Sequence, residues 1–245
     1  MNKNNTRNIA IIGLRSGSKG IKNKNIRLLG NKHLFSWIIE IAKKSRVFDD
    51  ILVSSDSQYY LDLVKKNHDY VVPYLRNKNL AEDDSPEYEF VKHTVISYAE
   101  ENKLSLNDIT FSRLHATSPF QTSDDLVRSL NKLKEAAYAT STVVIKKSSI
   151  HPLKSLKLIK EGNHDKLVSI LDNSSESVTG QNRQSLGVFY HRSNVITGLA
   201  TNLLGGNLTG KFAVPVFQNS EFFIDIDSEF DFWIAEQVIK NNLIN

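Results

Sequence analysis

The chain contains no cysteine. That excludes a disulfide framework, a thiolate metal site and a cysteine nucleophile, and leaves the redox compartment unmarked. No run of about 18 apolar residues occurs, so no transmembrane helix is expected. The opening residues, MNKNNTRN, lack the apolar stretch of a secretory leader, and a soluble cytoplasmic protein is the expectation. The seven histidines show no HExxH spacing, which argues against zinc. No G-x-S-x-G elbow is present, which argues against a serine-hydrolase triad. Acid is nearly missing from the first 46 residues, where Glu40 stands alone.

What is present is enough for a full core: 245 residues with ordinary apolar and charged fractions. A net charge of +4 suits an anionic small molecule and does not demand nucleic acid. The N-terminal cations have no aromatic stacking platform beside them, so a nucleic-acid surface is not expected.

The chain is organised around residues 9–27, IAIIGLRSGSKGIKNKNIR. An apolar run empties into a Gly- and Ser-rich turn holding Arg15, Lys19, Lys22, Lys24 and Arg27. Glycines let backbone N–H groups approach an anion and the cations neutralise it, so this is a phosphate-binding layout; the alternative is a solvated basic turn. The segment nearly matches a Walker A loop, but Ser18 replaces the second glycine and Gly20 replaces the Ser or Thr after Lys19, so a P-loop NTPase is excluded.

The apolar periods predict strands over 8–13, 51–55, 69–74, 109–114 and 139–145, and helices over 34–44, 58–66, 86–102 and 124–136. Thr122 or Ser123 caps the last of these helices. Alternation of strand and helix predicts an α/β fold with a mostly parallel sheet. Residues 146–182 are polar and weakly periodic, with a hairpin-like break at Glu161-Gly162-Asn163. They read as an excursion from the sheet, a small subdomain or dimer arm, with a floppy insertion as the alternative. Short strands are predicted over 187–190 and 194–196, a loop over 202–211, strands over 212–217 and 222–227, and a closing helix over 230–240.

On a strand over 222–227, Asp225 and Asp227 share one face, roughly 7 Å apart, while Ile224 and Ile226 face the core. Two like charges on one face suit a hard cation such as Mg²⁺, completed by phosphate and water; the alternative is two solvated aspartates. Ser228 and Asp231 fit a capping box for the last helix. In an open parallel sheet the ligand crevice lies at the carboxyl ends of the strands, which collects Arg15, Asp56, Arg76 and His115.

Six segments in this order resemble the acylneuraminate cytidylyltransferases, the CMP-sialic acid synthetases. They are Arg15-Ser-Gly-Ser-Lys19-Gly20 with Lys24-Asn25; Val53-Ser54-Ser55-Asp56-Ser57; Arg76 with Leu80-Ala81 and Asp84-Ser85; Ala116-Thr117-Ser118-Pro119; Arg183-Gln184; and Ile224-Asp-Ile-Asp227 with Asp231-Phe232. The resemblance implies a single Rossmann-like nucleotidyltransferase domain with helices on both sheet faces, over residues 1–245. It implies CTP and a nine-carbon 2-keto sugar acid (an N-acylneuraminate, or a legionaminate or pseudaminate relative) as substrates. Arg15, Ser16, Gly17, Ser18, Lys19 and Lys24 would bind the nucleotide's phosphates, and Asn25, Arg76 and Ser85 its cytidine. His115, Thr117, Ser118, Arg183 and Gln184 would meet the sugar, with Arg15, Lys19 and Arg183 catalytic. Asp225 and Asp227 would hold Mg²⁺. A homodimer is implied, with residues 146–182 reaching the neighbour's site. The chain departs from the family at Gly13-Leu14, where Pro-Ala is usual, at Asn77 in place of Pro, at His115 in place of Gln, and at Ser193-Asn194 in place of Asn-Gly. Two other readings stay open: a glycosyltransferase using Asp225-x-Asp227 as a DxD motif, and a catalytically degenerate nucleotide-binding relative.

Overall fold

Isoleucine sets the centre of the sheet. In the computed structural model, which describes residues 6–18, 20–149, 151–170, 187–220 and 222–243, strand β1 (Arg7–Leu14) carries Ile9, Ile11 and Ile12, all fully buried. A strand buried on both faces reads as a continuous apolar run. The chain continues through two short strands, β2 (Leu28–Leu29) and β3 (Lys32–His33), to α1 (Leu34–Ser45), β4 (Asp50–Ser55), α2 (Gln58–Asn67), β5 (Val72–Leu75), α3 (Glu87–Asn102) and β6 (Ile109–His115). It goes on through α4 (Ser123–Glu135), β7 (Ser141–Lys147), β8 (Leu156–Glu161), β9 (His164–Ser169), β10 (Tyr190–Leu199), β11 (Ala213–Phe217) and α5 (Glu229–Lys240).

Seven strands form one sheet in the order β11-β7-β10-β6-β1-β4-β5. β1 pairs in parallel with β4 and β6, and β4 with β5. β10 runs antiparallel to β6. One face is closed by α1, α2 and α4, whose Phe35, Ile38, Leu61, Val64 and Leu126 meet Ala10, Ile12 and Val53. α3 packs on β1 and β4 without joining that cluster, so it covers the other face. The mostly parallel α/β sheet with helices on both faces is therefore as expected.

Caps follow the sequence signals. The Thr122 hydroxyl accepts from Asp125 N–H ahead of α4, and Ser228 with Asp231 makes a reciprocal capping box ahead of α5. A separate apolar cluster joins α5 to the opening loop: Ile21, Leu29, Phe120, Ile226, Phe232 and Val238 pack together.

The chain divides into two compact units, Met1–Val144 with Ser193–Asn245, and Ile145–Arg192. In the second, β8 and β9 form an antiparallel hairpin turning at Gly162, whose φ is +64°. The left-handed turn is a conformation glycine adopts without a steric penalty.

Three expectations are corrected. Residues 222–227 form no strand and join no ladder. They lie across the loop after β6, where Ile226 N–H donates to Thr117 O at 2.9 Å, and a turn cannot template a strand. The two short strands expected over 187–196 are one ten-residue strand reaching Leu199. It includes Gly198, where a Cβ would lie 2.8 Å from Leu208 O, so close packing requires glycine there. The loop expected from 202 begins instead as a 3₁₀ turn over Ala200–Gly205. Among the described residues no helix is long and apolar enough to cross a membrane.

Candidate active site

The loop after β1 is held from three sides. Ser16 donates through its N–H to Asp56 Oδ1 (2.9 Å) and through Oγ to Asp56 Oδ2 (2.6 Å). Asp56 follows β4 directly, so two adjacent strands deliver the loop and its anchor. Burial pushes the Asp56 carboxyl up, but the bonds from the Ser16 side chain and backbone outweigh it and hold the group below the usual carboxylate value. The buried Asn25 donates Nδ2–H to Arg15 O at 2.9 Å. Lys24 Nζ donates to Ile226 O (2.6 Å) and Asp227 Oδ1 (2.7 Å). Gly20 lies so close to this segment that a Cβ would sit 2.2 Å from Asp227 O. The first and last functional segments of the chain thus touch.

Arg76, just past β5, is 5% exposed. Its Nη1 donates to Ser54 O (3.2 Å), its guanidinium lies 4.6 Å from the Phe90 ring centroid, and its Nε has no partner among the described residues. Burial lowers its pKa to about 10, opposed by the charge of Asp56. A buried cation with spare donors is costly unless a ligand meets them. Gly13 explains how Phe90 fits: a Cβ there would lie 2.8 Å from the ring and 3.4 Å from Arg76 Nη1.

On β6, His115 Nε2 lies 2.7 Å from Glu87 Oε1 in the first turn of α3. Arg113 Nε lies 3.1 Å from the same oxygen. Thr117 Oγ1 donates to Asp225 Oδ1 at 2.5 Å.

A cavity of about 380 Å³ opens at the carboxyl ends of β1, β5 and β6, a size suited to a small-molecule ligand. Arg15, Ser18, Lys24, Asn25, Arg76, Ser85, His115, Thr117, Asp225 and Asp227 are among its walls. Arg15 also pairs with Asp83 at 2.8 Å. Ser16 and Gly17 shape the loop without lining the cavity. Ser118 does not line it either: it is buried and accepts from Asn194 Nδ2 at 2.5 Å. Lys19, Arg183 and Gln184 lie outside the described residues. Glu87 and Phe90 escape a sequence reading because their roles depend on β6 and β5 meeting α3.

Asp225 and Asp227 both face the cavity while Ile226 between them is fully buried. The alternation expected of a strand therefore survives without the strand. Two carboxylates and no soft donor fit Mg²⁺, which takes one or two carboxylates and completes its shell with phosphate and water. Among the described residues no cluster of three or more His, Cys, Asp or Glu side chains is assembled, so an all-protein cage is absent there.

The cytidylyltransferase family profile matches residues 9–225. The chain belongs to the cytidylyltransferase family. Relatives include the N-acylneuraminate cytidylyltransferase of Escherichia coli O18:K1:H7, 28% identical over 94% of this chain and 51% of that protein. The CMP-N,N'-diacetyllegionaminic acid synthase of Legionella pneumophila is 26% identical over 96% of this chain and 97% of that protein. The chain thus spans about half the length of the first and nearly all of the second. Among solved structures, a CMP:2-keto-3-deoxy-manno-octonic acid synthetase complexed with CTP superimposes with a TM-score of 0.68 at 8% identity, covering 97% of this chain and all of that one. A 4-diphosphocytidyl-2C-methyl-D-erythritol synthase gives 0.62 at 14% identity, with 96% and 99% covered. These likenesses establish the same fold. Family membership makes the chain a nucleotidyltransferase and not a glycosyltransferase.

Proposed function

We propose that this cytidylyltransferase joins CTP to a nine-carbon 2-keto sugar acid, giving the CMP-sugar and pyrophosphate. One observation carries the reading: Arg15, Lys24 and Arg76 converge on the same cavity as Asp225 and Asp227. That is a cation cluster facing a carboxylate pair, as a triphosphate site requires. The names of the relatives in Escherichia coli and Legionella support a sialic or legionaminic type of acid.

In this reading Arg15 and Lys24, with Lys19, neutralise charge growing on the leaving pyrophosphate. Arg76 presents the charge of its guanidinium to the nucleotide, and Asn25 and Ser85 border the cytidine. Asp225 and Asp227 would hold Mg²⁺, which when bound polarises the phosphate and screens its charge. Arg183 and Gln184 keep the sugar-acid role that the resemblance implies; a guanidinium fork suits a carboxylate. The anomeric hydroxyl forms its bond to the α-phosphorus in line with the departing pyrophosphate, so no covalent enzyme intermediate is required. The reaction belongs in the cytoplasm, where CTP is available. A second copy of this chain would cover the hairpin face on which Leu158 stands opposite Leu167, both more than half exposed.

The test is pyrophosphate release from CTP and Mg²⁺ with a panel of N-acetylneuraminate, legionaminate and pseudaminate. Release with one of them is expected. No release with any of them, alongside intact CTP binding, refutes the reading in favour of a degenerate relative.

A further inference from the structure

Bonding a hydroxyl oxygen to phosphorus releases a proton, and the cavity must take it up. This inference rests on the nucleotidyl-transfer reading above. Arg15, Lys24 and Arg76 are cations with no lone pair to offer. Asp227 accepts from Lys24 and Asp225 from Thr117. Glu87 Oε1 faces His115 and Arg113 together. His115 supplies the one imidazole among the described residues of the cavity wall.

Its geometry is that of an oriented base. Nε2 is 2.7 Å from Glu87 Oε1; a carboxylate there accepts a hydrogen bond from Nε2–H, which puts the neutral ring's lone pair on Nδ1. No described residue bonds to Nδ1, and the side chain is about one-third exposed to the cavity, at 32%. The sheet register fixes the location. His115 is the β6 partner of Gly13 on β1, and it stands two residues before Thr117, whose hydroxyl reaches Asp225. The imidazole therefore shares one cavity wall with the basic loop and the acidic pair.

We infer that His115, oriented by Glu87, is the general base that accepts the proton of the attacking sugar hydroxyl on Nδ1. The hydroxyl oxygen forms its bond to the α-phosphorus as its proton passes to Nδ1. The bond from the α-phosphorus to the β-bridging oxygen breaks, and pyrophosphate leaves with that electron pair. The imidazolium then returns its proton to water. Glu87 from α3 is the charged group in contact with His115 and is shared with Arg113 on β6; the other charged groups of the cavity wall come from the loop after β1, the segment after β5 and the C-terminal segment.

The experiment uses the full chain with CTP, Mg²⁺ and the acid that releases most pyrophosphate. His115→Ala and His115→Gln are each expected to lose about 10² to 10³ in kcat, and Glu87→Gln about tenfold. The affinity for CTP, measured by calorimetry, stays within about threefold in all three variants. The acid limb of the kcat/KM profile flattens in both His115 variants, and added imidazole restores part of the activity of His115→Ala. A His115→Gln enzyme with wild-type kcat and pH profile overturns the proton-accepting role while leaving the reaction intact. Loss of CTP binding in every variant overturns it in favour of a structural role. A wild-type chain that releases no pyrophosphate with any acid overturns the reaction and this role with it.

Discussion

Two glycines three residues apart in the opening loop separate shape from chemistry. At Gly17 a Cβ would meet nothing within 4 Å; at Gly20 it would lie 2.2 Å from Asp227 O. The obstacle at Gly20 is backbone on both sides, so no side chain can swing away. An ordinary contact needs about 3.4 Å, so Gly20→Ala must part the loop from the acidic segment by roughly 1 Å. Lys24 Nζ, now 2.7 Å from Asp227 Oδ1, then falls outside hydrogen-bond range. A displacement of that size between charge-stabilising groups costs about 100-fold in kcat/KM, or about 2.7 kcal/mol. Gly20 itself is exposed, so the thermal midpoint should fall by only about 3 °C. The assay is coupled pyrophosphate release, run beside Gly17→Ala as an internal control with near wild-type kinetics. Equal activity in the two variants would refute the contact between the loop and the acidic segment.

Asp227→Ala and Asp225→Ala are each expected to lose about 10² to 10³ in activity and to raise the Mg²⁺ concentration for half-maximal rate, with the urea midpoint unchanged; unchanged Mg²⁺ dependence would remove the metal role. Phe90→Leu removes the ring beneath Arg76, a contact worth about 1 to 2 kcal/mol, so KM for CTP should rise about tenfold with kcat held; a kcat effect alone would contradict this. Asp56 titrates below its ordinary 3.8 in the folded chain because the bonds from Ser16 outweigh burial, so it stabilises above that value and the contribution fades as pH falls through the lower folded value. The urea stability gap between wild type and Asp56→Asn should therefore be constant down to about pH 5 and close below about pH 4; a gap that widens on acidification would reverse the sign.

Local signals were legible because they need only neighbours. Ile9, Ile11 and Ile12 announce a central strand, Thr122 and Ser228 announce helix starts, and Gly162 announces the hairpin turn. The side-chain alternation at Asp225-Ile226-Asp227 was legible too, although the strand meant to produce it is absent. What stayed hidden depends on partners far away in the chain. Nothing near Glu87 signals that His115 will bond to it 28 residues on. Nothing near Gly13 signals that Phe90 will fill the space its missing side chain leaves. Ser118 misled because a hydroxyl in a polar loop reads as available, whereas Asn194 on the antiparallel strand β10 claims it.

The bond between Lys24 and Asp227 spans 203 residues of chain, and this bears on synthesis. A nascent chain can lay down β1, β4, β5 and β6 in order, and with them Arg15, Asp56, Arg76 and His115. The carboxylates that complete the cavity, and Ile226 that packs on Ile21, are made long after the opening loop, Asp227 203 residues after Lys24. Until then the opening loop is a set of clustered cations without its acidic counterpart. The cavity is therefore completed at the docking of one short segment and α5, and a ribosome stalled before Asp225 would carry a folded sheet with an unfinished site.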